Sequence, residues 1–427
     1  MSTTIVSRTE AAFTLQIEIP YRSSMLEAEE TIQEHLNRAG VLATGEALQR
    51  FDTDGSPLVV ADTKLTSMGK ALKEYQTPYG VAPVARHIYQ TSKGGKTYCP
   101  LDRNARIVVS STPRFAKMVS HKYAEFGAAR VVEDLRENHG RTVARSFVQN
   151  VADAVAAVAM AKEEDWEYAP PKLEEPVATI AIGMDGTGLL MGEDGWRETM
   201  VGTIGFYDRA GERQHTIYLG ATPEYGQATF LDRMEREIDR VKATCPQARY
   251  VGLADGAKGN WEFLGRHTDV QVIDFWHAAE YLSDAATVLF ARNPDAKKPW
   301  LNAACHRLKH EPGAARQVIR DLKRMAAEKG ISADQEDVAA AVTYFTNQSK
   351  AGRMDYPPLV AVKVPIGSGV TEAACKVLVK QRLCGSGMKW KEPGAAAVLS
   401  LRCLSYTADR WSQFWARIDR NGFPVAA

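Results

Sequence analysis

Three acidic residues in this sequence of 427 residues stand in surroundings suited to holding a divalent cation against a phosphate. Asp185 lies in Gly183-Met184-Asp185-Gly186-Thr187-Gly188, and Asp255 in Leu253-Ala254-Asp255-Gly256-Ala257. Each is expected at the end of a strand, among small residues that open the backbone and leave room for a bulky ligand. Glu372 follows the loop Pro365-Ile366-Gly367-Ser368-Gly369, early in an expected helix. Carboxylates are hard oxygen ligands suited to two Mg2+ ions, with Mn2+ as a substitute, and the cations neutralise charges that would otherwise repel. Two ions about 3.5–4 Å apart can activate an attacking oxygen and stabilise a leaving one. Taken alone, a strand-terminal aspartate before glycine is an ordinary turn or cap residue. Two at matched positions, followed by a glutamate after a glycine loop, point further.

The elements that must position these acids follow a definite order. Val177 to Asp185 reads as a strand ending on an acid, Glu198 to Tyr207 as a second strand, and Arg213 to Leu219 as a third after the turn Asp208-Arg209-Ala210-Gly211. Phe230, Met234, Ile238 and Val241 recur at helical spacing. Arg249 to Asp255 is another strand ending on an acid, Glu262 to Arg266 a short helix, and Val270 to Asp274 a strand ending on a third acid. This order predicts a mixed sheet of RNase H-like topology, with its first three strands antiparallel and its first and fourth adjacent. Helices are expected over Ala278–Ala291, Trp300–His310, Ala314–Glu328 and Glu336–Thr346, then from Thr371 to Leu383 and from Ala395 to Tyr406. An aromatic segment with Trp411, Phe414 and Trp415 follows.

Upstream, residues 1–75 read as mainly helical, and Val84 to Leu101 as a β-hairpin turning at Ser92-Lys93-Gly94-Gly95. Ala129–Glu137 and Thr142–Met160, broken at His139-Gly140, form either a helix–turn–helix or a plain packed helical hairpin. In the first case Arg141 and Arg145 would contact DNA near the start of the second helix. The acidic, proline-punctuated stretch from Lys162 to Pro176 is the expected domain boundary. The expected fold class is therefore α/β: an RNase H-like mixed-sheet catalytic core (176–277 and 360–427) with an all-α insertion (278–350). Before it come a mainly helical region with a small β-hairpin (1–110) and a helical DNA-binding region (111–165).

Composition excludes several classes. Hydrophobic residues at 45% and charged residues at 25% are ordinary for a soluble globular chain. No apolar run reaches the roughly 18–20 residues of a membrane span, and Met1 to Leu15 is too polar for a secretory signal. The expectation is a soluble intracellular protein with no membrane partner. The six cysteines form no C-x-x-C pair, which supports neither a zinc ribbon nor a thioredoxin-like motif; they read as reduced, mostly buried small hydrophobes. Net charge is +1, but its distribution is uneven. Nine Lys/Arg face three acids over Arg292–Arg324, and eight face three over Lys350–Glu392. Clustered cations are what neutralising phosphates requires.

As an ordered set, further motifs extend the pattern. They are Val272-Ile273-Asp274-Phe275-Trp276-His277-Ala278, then Gly367-Ser368-Gly369-Val370-Thr371-Glu372-Ala373-Ala374, then Arg382-Leu383 leading to Gly387-Met388-Lys389-Trp390. With the two aspartate motifs, this set resembles the bacterial insertion-sequence transposases of the ISKra type, relatives of the Mutator-like DDE transposases. The resemblance runs from Val177 to Trp415. It implies an RNase H-like catalytic domain, an all-α insertion before the glutamate, and Mg2+-dependent DNA strand cleavage and joining at element ends. Asp185, Asp255 and Glu372 would be the catalytic, metal-holding acids. It also implies double-stranded DNA partners (terminal inverted repeats and target), a homo-oligomer on DNA, and a cytoplasmic, nucleoid-associated place in a bacterial cell. The 70 positions from Asp185 to Asp255 (255 − 185) hold the hairpin and one helix, and the 117 from Asp255 to Glu372 (372 − 255) leave room for a helical insertion.

Asp274 and His277 resemble the acid-or-cysteine, two residues, histidine signature of Mutator-like enzymes. His277 would touch the scissile phosphate or orient a carboxylate, or else be satisfied by a backbone carbonyl. Trp276 reads as core, with stacking on a flipped base as the alternative. Lys376 and Lys380, at i+4 and i+8 from Glu372, would line a DNA path together with Arg382, although Lys376 could equally pair with Glu372 on the helix surface. Two other functions use the same core: an RNase H-like nuclease or resolvase that cuts without joining, and a transposase-derived DNA-binding protein.

Overall fold

The computed structural model describes residues 3–163, 165–224, 227–256 and 258–422; Glu164 of the acidic linker and Ala257 of the second aspartate motif lie outside them. The chain divides into two compact units. One comprises Met1–Tyr168, Ser400–Ser405 and Arg410–Ala427, the other Ala169–Leu399 and Tyr406–Asp409.

The first unit opens with an antiparallel pair, β1 (Thr4–Arg8) and β2 (Phe13–Gln16), and the helix α1 (Met25–Gln49). A four-stranded antiparallel sheet follows, ordered β3 (Leu58–Val60), β4 (Thr63–Gln76), β5 (Val81–Thr91), β6 (Gly94–Tyr98). The mainly helical expectation for residues 1–75 is therefore corrected over 58–76. Most of β4 is exposed, so lysine, alanine and glutamate fill positions where an apolar row would have betrayed a strand; Leu65 and Tyr75 are its buried residues. The hairpin expected at Val84–Leu101 is the β5–β6 pair. The helices α2 (Pro100–Asn104), α3 (Pro113–Glu125), α4 (Ala128–His139) and α5 (Arg145–Lys162) complete this part. Gly140, in the left-handed region at φ 59°, ends α4.

The second unit is mixed α/β. Among the described residues its sheet has five strands: β7 (Thr179–Met191), β8 (Gly195–Tyr207), β9 (Arg213–Ala221), β10 (Arg249–Ala254) and β11 (Val270–Ile273). Their order across the sheet is β11-β10-β7-β8-β9. The first three pair antiparallel, while β10 runs parallel to both β7 and β11. The adjacency of the first and fourth strands, on which convergence of the two aspartates depends, is present.

One expected boundary is corrected: β7 does not end at Asp185. It continues to Met191 because β8 pairs with it down to Gly195, whereas its register with β10 runs from Thr179 to Gly183. Asp185 thus sits mid-strand, just past the point where the parallel neighbour drops away.

The connections are α6 (Ala228–Thr244) and α7 (Lys258–His267). The insertion is α8 (Phe275–Leu289), α9 (Lys297–His310), α10 (Ala314–Glu328), α11 (Glu336–Lys350) and the short α12 (Tyr356–Ala361). Its apolar faces share one buried cluster with the sheet, from Ile180 and Val251 through Leu282 and Leu322 to Phe345. Burial of that continuous face, at roughly 25 cal/mol per Å2 of apolar surface, is what makes sheet and insertion one unit. The glutamate-bearing helix begins as α13 (Gly369–Ala374), widens into a π turn over Cys375–Lys380, and ends as α14 (Gln381–Leu383). Two helices follow, α15 (Glu392–Tyr406) and α16 (Arg410–Asn421). The last was expected in the catalytic domain but belongs to the first unit. There its aromatic stripe packs Phe414 on Trp166 at 5.7 Å between centroids, and the Arg417 side chain donates to the Glu167 carbonyl.

Candidate active site

The two aspartates are placed by register. Gly183 of β7 and Leu253 of β10 are parallel partners, and Asp185 and Asp255 each lie two residues further on. Side chains alternate along a strand, so Asp185 shares the sheet face of Gly183, on a strand about 4.8 Å from β10, and the Asp255 charge acts on its carboxyl. Both residues are partly buried.

The glutamate helix docks on that face. Thr203 is the β8 partner of Gly183, and its hydroxyl pairs with that of Thr371 at 2.7 Å. A Cβ built on Gly183 would overlap the Thr371 hydroxyl and stand 3.2 Å from Thr371 Cβ, so only glycine admits the helix this close. Glu372, the next residue, is exposed, and Ser368 Oγ donates to its Oε1 at 2.7 Å.

Asp185 registers the arrangement electrostatically. Burial, together with the nearby Asp255 and Glu372 charges, pushes its carboxyl above the usual aspartate range. The Gly186 amide, which donates to Oδ1 at 2.7 Å, and the Cys375 thiol, which donates to Oδ2 at 3.5 Å, act in the opposite direction. Burial and the Asp185 charge push the Cys375 thiol up, so it remains a protonated donor.

Among the described residues, no set of three or more His, Cys, Asp or Glu side chains is grouped closely enough to hold an ion by itself. Magnesium held by one or two carboxylates, water and substrate phosphate needs no such cage. The donors fit that mode: hard carboxylate oxygens, with the Asp185 carboxyl raised by burial and, beside it, by acidic charge that a cation would relieve.

Asp274 has a different task. Fully buried, it caps α8: Oδ1 accepts the His277 amide at 2.6 Å, and Oδ2 accepts the Ser368 amide in the glycine loop. The backbone closes the same junction, with the Asp274 amide donating to Ala254 O at 3.0 Å and the Phe275 amide to Ile366 O at 3.0 Å. Asp274 therefore ties the end of β10 to the loop that presents Glu372.

His277 is partly exposed, with Nδ1 3.3 Å from Glu280 Oε2, and lies edge-on to Tyr281 and Tyr344. Tyr344, on the insertion helix α11, points its hydroxyl at the Asp255 carbonyl across 3.4 Å and stacks on Tyr281 at 4.1 Å. Trp276 is 63% exposed, which corrects its expected place in the core. The first turn of α8 turns it outward beside Gly367, with the Lys309 ammonium 5.0 Å from its ring centroid.

The cationic positions divide. Lys376 and Lys380 are exposed, as is Glu372. In a regular α-helix a residue eight positions on has rotated roughly 80° from its origin. The wider π turn takes up that drift, and buried Thr371, Cys375, Val379 and Leu383 recur every four residues on the adjoining side of the helix. Arg382 is 4% exposed and stacks over Trp390 at 5.4 Å, so its expected DNA contact is corrected to a buried packing role. Arg141 is corrected likewise: at 5% exposure its Nε donates to Thr77 O at 3.0 Å and its Nη2 to Gln76 Oε1 at 2.7 Å, over the Phe115 ring. Arg145 is exposed as the first residue of α5. The buried Val148, Val151, Ala152, Val155 and Ala156 favour the packed helical hairpin over a groove-reading helix.

Ser368, Cys375 and Tyr344 escaped the motif reading. Helical spacing carries a faint signal for the first two, which stand four before and three after Glu372. Nothing local marks Tyr344.

No family model matches the chain, and no curated protein matches it. Among solved structures it is similar to the simian T-cell lymphotropic virus intasome determined in complex with the PP2A regulatory subunit B56 gamma. The identity is 11%, over 47% of this chain and 69% of that chain, with a TM-score of 0.16. An overlap of that quality says nothing about activity.

Proposed function

We propose that this chain is a DDE-type DNA transposase with an RNase H-like core, cutting and joining DNA strands at the ends of an insertion sequence. One observation carries the reading. Asp185 and Asp255 each lie two residues beyond the parallel partners Gly183 and Leu253 on adjacent strands, and the helix bearing Glu372 is seated against β7 through Gly183 and Thr371. The sheet order β11-β10-β7-β8-β9, with its antiparallel first three strands, supports the RNase H-like part of that reading. No helix among the described residues is long and apolar enough to cross a membrane.

In this reading Asp185, Asp255 and Glu372 hold two Mg2+ ions, for which Mn2+ substitutes. When bound, the ions neutralise charge on the attacking and leaving oxygens of a phosphodiester. The chain's own groups do the rest. Ser368 and the Thr371–Thr203 pair orient the glutamate. Glu280 engages His277 Nδ1, leaving Nε2 for a phosphate oxygen. Lys376 and Lys380 carry the phosphate backbone away from the acids, and the exposed Trp276 stacks on an unpaired base. Terminal repeats and target DNA are the substrates, and the active form is a DNA-bound homo-oligomer.

The test is incubation of the protein with the DNA flanking its own gene and Mg2+, mapping strand breaks and joined products. Asp185→Asn, Asp255→Asn and Glu372→Gln should each abolish cleavage while end binding persists. Full cleavage by any one removes that residue from the mechanism, and breaks without joined product reduce the enzyme to a nuclease.

A further inference from the structure

The helix carrying Glu372 runs along β7 with matched pitch. Four residues of α-helix rise about 6.0 Å, and two residues of strand about 6.6 Å. The helix position four beyond Thr371 therefore meets the strand position two beyond Gly183. Those residues are Cys375 and Asp185, and they touch: Cys375 Sγ lies 3.5 Å from Asp185 Oδ2. Cys375 is buried, and the π turn begins at this residue. The wider turn keeps the stripe Thr371, Cys375, Val379, Leu383 in phase with the strand, where a regular helix would rotate it away.

A buried cysteine is ordinarily a small hydrophobe. This one faces a carboxylate whose other oxygen, Oδ1, already accepts the Gly186 amide at 2.7 Å. One donor on each oxygen fixes the rotation of the carboxylate about its Cβ–Cγ bond. A thiol is a weak, long donor. It holds the carboxylate without drawing off the charge a cation needs, and its long Cβ–S bond reaches where a hydroxyl on the same backbone would fall short.

We propose that Cys375 is a positioning residue for Asp185: its thiol, held against β7 by the π turn, sets the carboxylate's orientation and thereby the affinity of the site for a divalent cation. The proposal rests on Asp185 being a metal ligand. Losing the partner of a metal-ligating side chain weakens metal affinity about 10- to 100-fold, and a weak thiol donor places the effect near the lower figure.

The experiment uses the full chain with Cys375→Val, Cys375→Ala and Cys375→Ser. Mn2+ binding is read by electron paramagnetic resonance without DNA, beside the Mg2+ concentration giving half-maximal cleavage. Valine keeps the buried volume and removes the donor, so it should weaken Mn2+ binding about tenfold, with alanine alike and serine, whose oxygen stands back from the carboxylate on its shorter bond, recovering only part of the loss. Cleavage at saturating Mg2+ should fall far less than the metal requirement rises. Mn2+ binding by Cys375→Val and Cys375→Ala as tight as in the parent would overturn the proposal. Asp185→Asn is run in parallel. If it binds Mn2+ like the parent, the assignment of Asp185 fails and takes the proposal with it; if it loses binding while Cys375→Val does not, the failure belongs to Cys375 alone.

Discussion

Gly183→Ala isolates the contact that brings the glutamate to the aspartates. The new methyl would overlap the Thr371 hydroxyl and lie 3.1 Å from that of Thr203, where ordinary contact begins near 3.4 Å. Clearing it requires α13 to retreat on the order of 1 Å, since the strand is pinned on both sides by β8 and β10. Overpacking of this kind costs roughly 1–3 kcal/mol, and a unit of this size loses about 2–4 °C in Tm per kcal/mol. The expected drop is thus about 2–12 °C by scanning calorimetry. Displacing a reacting group by about 1 Å costs roughly a hundredfold in rate, so cleavage should fall further than stability suggests. Thr371→Ala supplies the control. Alone, it leaves the buried Thr203 hydroxyl without its partner, at about 1–3 kcal/mol. Combined with Gly183→Ala, it removes the group the methyl strikes, so the double variant should be more stable than the sum of the singles by about 0.5–3 kcal/mol. Additive losses, or a Gly183→Ala protein that melts and cleaves like the parent, would refute the seating of the helix on β7.

Two further expectations follow from the electrostatics. The Asp185 carboxyl is raised in the fold by burial and by its acidic neighbours, so the folded state favours its protonated form. Its contribution to stability is full below the ordinary aspartate range and is lost as pH rises through the raised value. In metal-free protein Asp185→Asn should therefore be more stable than the parent at neutral pH, with the advantage vanishing in acid; urea unfolding across pH measures this, and an advantage that grows on acidification would be the wrong sign. Lys376→Ala and Lys380→Ala should weaken binding to all DNA sequences alike and each reduce the slope of log K against log salt by about 1; an unchanged slope would take the lysine off the DNA path.

The second unit was largely legible in sequence because its strands are buried and its turns carry glycine and aspartate at telling positions. Val177–Asp185, Arg213–Leu219 and Arg249–Asp255 fall on or within a residue or two of real strands at most of their ends. What failed did so for identifiable reasons. The end of β7 was misplaced because a strand's length is decided by its partner, and β8 outlasts β10. Strand β4 was missed because an exposed sheet face need not alternate. In sequence Arg141 and Arg382 read as DNA contacts because a cation's burial is not written in its type; both satisfy or stack their guanidinium inside a packed unit, where arginine's planar fork is well suited to such a role. Trp276 erred in the opposite direction. An aromatic beside a buried Phe275 reads as core, but successive residues on a helix point about 100° apart, and only one of the two can face the sheet.

The hardest distinction lay among the acids. Asp185, Asp255 and Asp274 all sit on or just past parallel-paired strands of one sheet, and in sequence each resembles the others. The chain that follows decides what each does. After Asp185 the strand continues, and after Asp255 comes Gly256 at φ 125°. After Asp274 a helix begins immediately, and its carboxylate accepts the first free amide of α8 together with the Ser368 amide. A cap of that kind is worth about 0.5–2 kcal/mol, and both oxygens are occupied in a fully buried setting. The acid of the acid–x–x–histidine signature is therefore a structural tie. Its carboxylate joins α8 to the Glu372 loop, whereas the Asp185 carboxyl is raised by burial, with the Asp255 and Glu372 charges acting in the same direction.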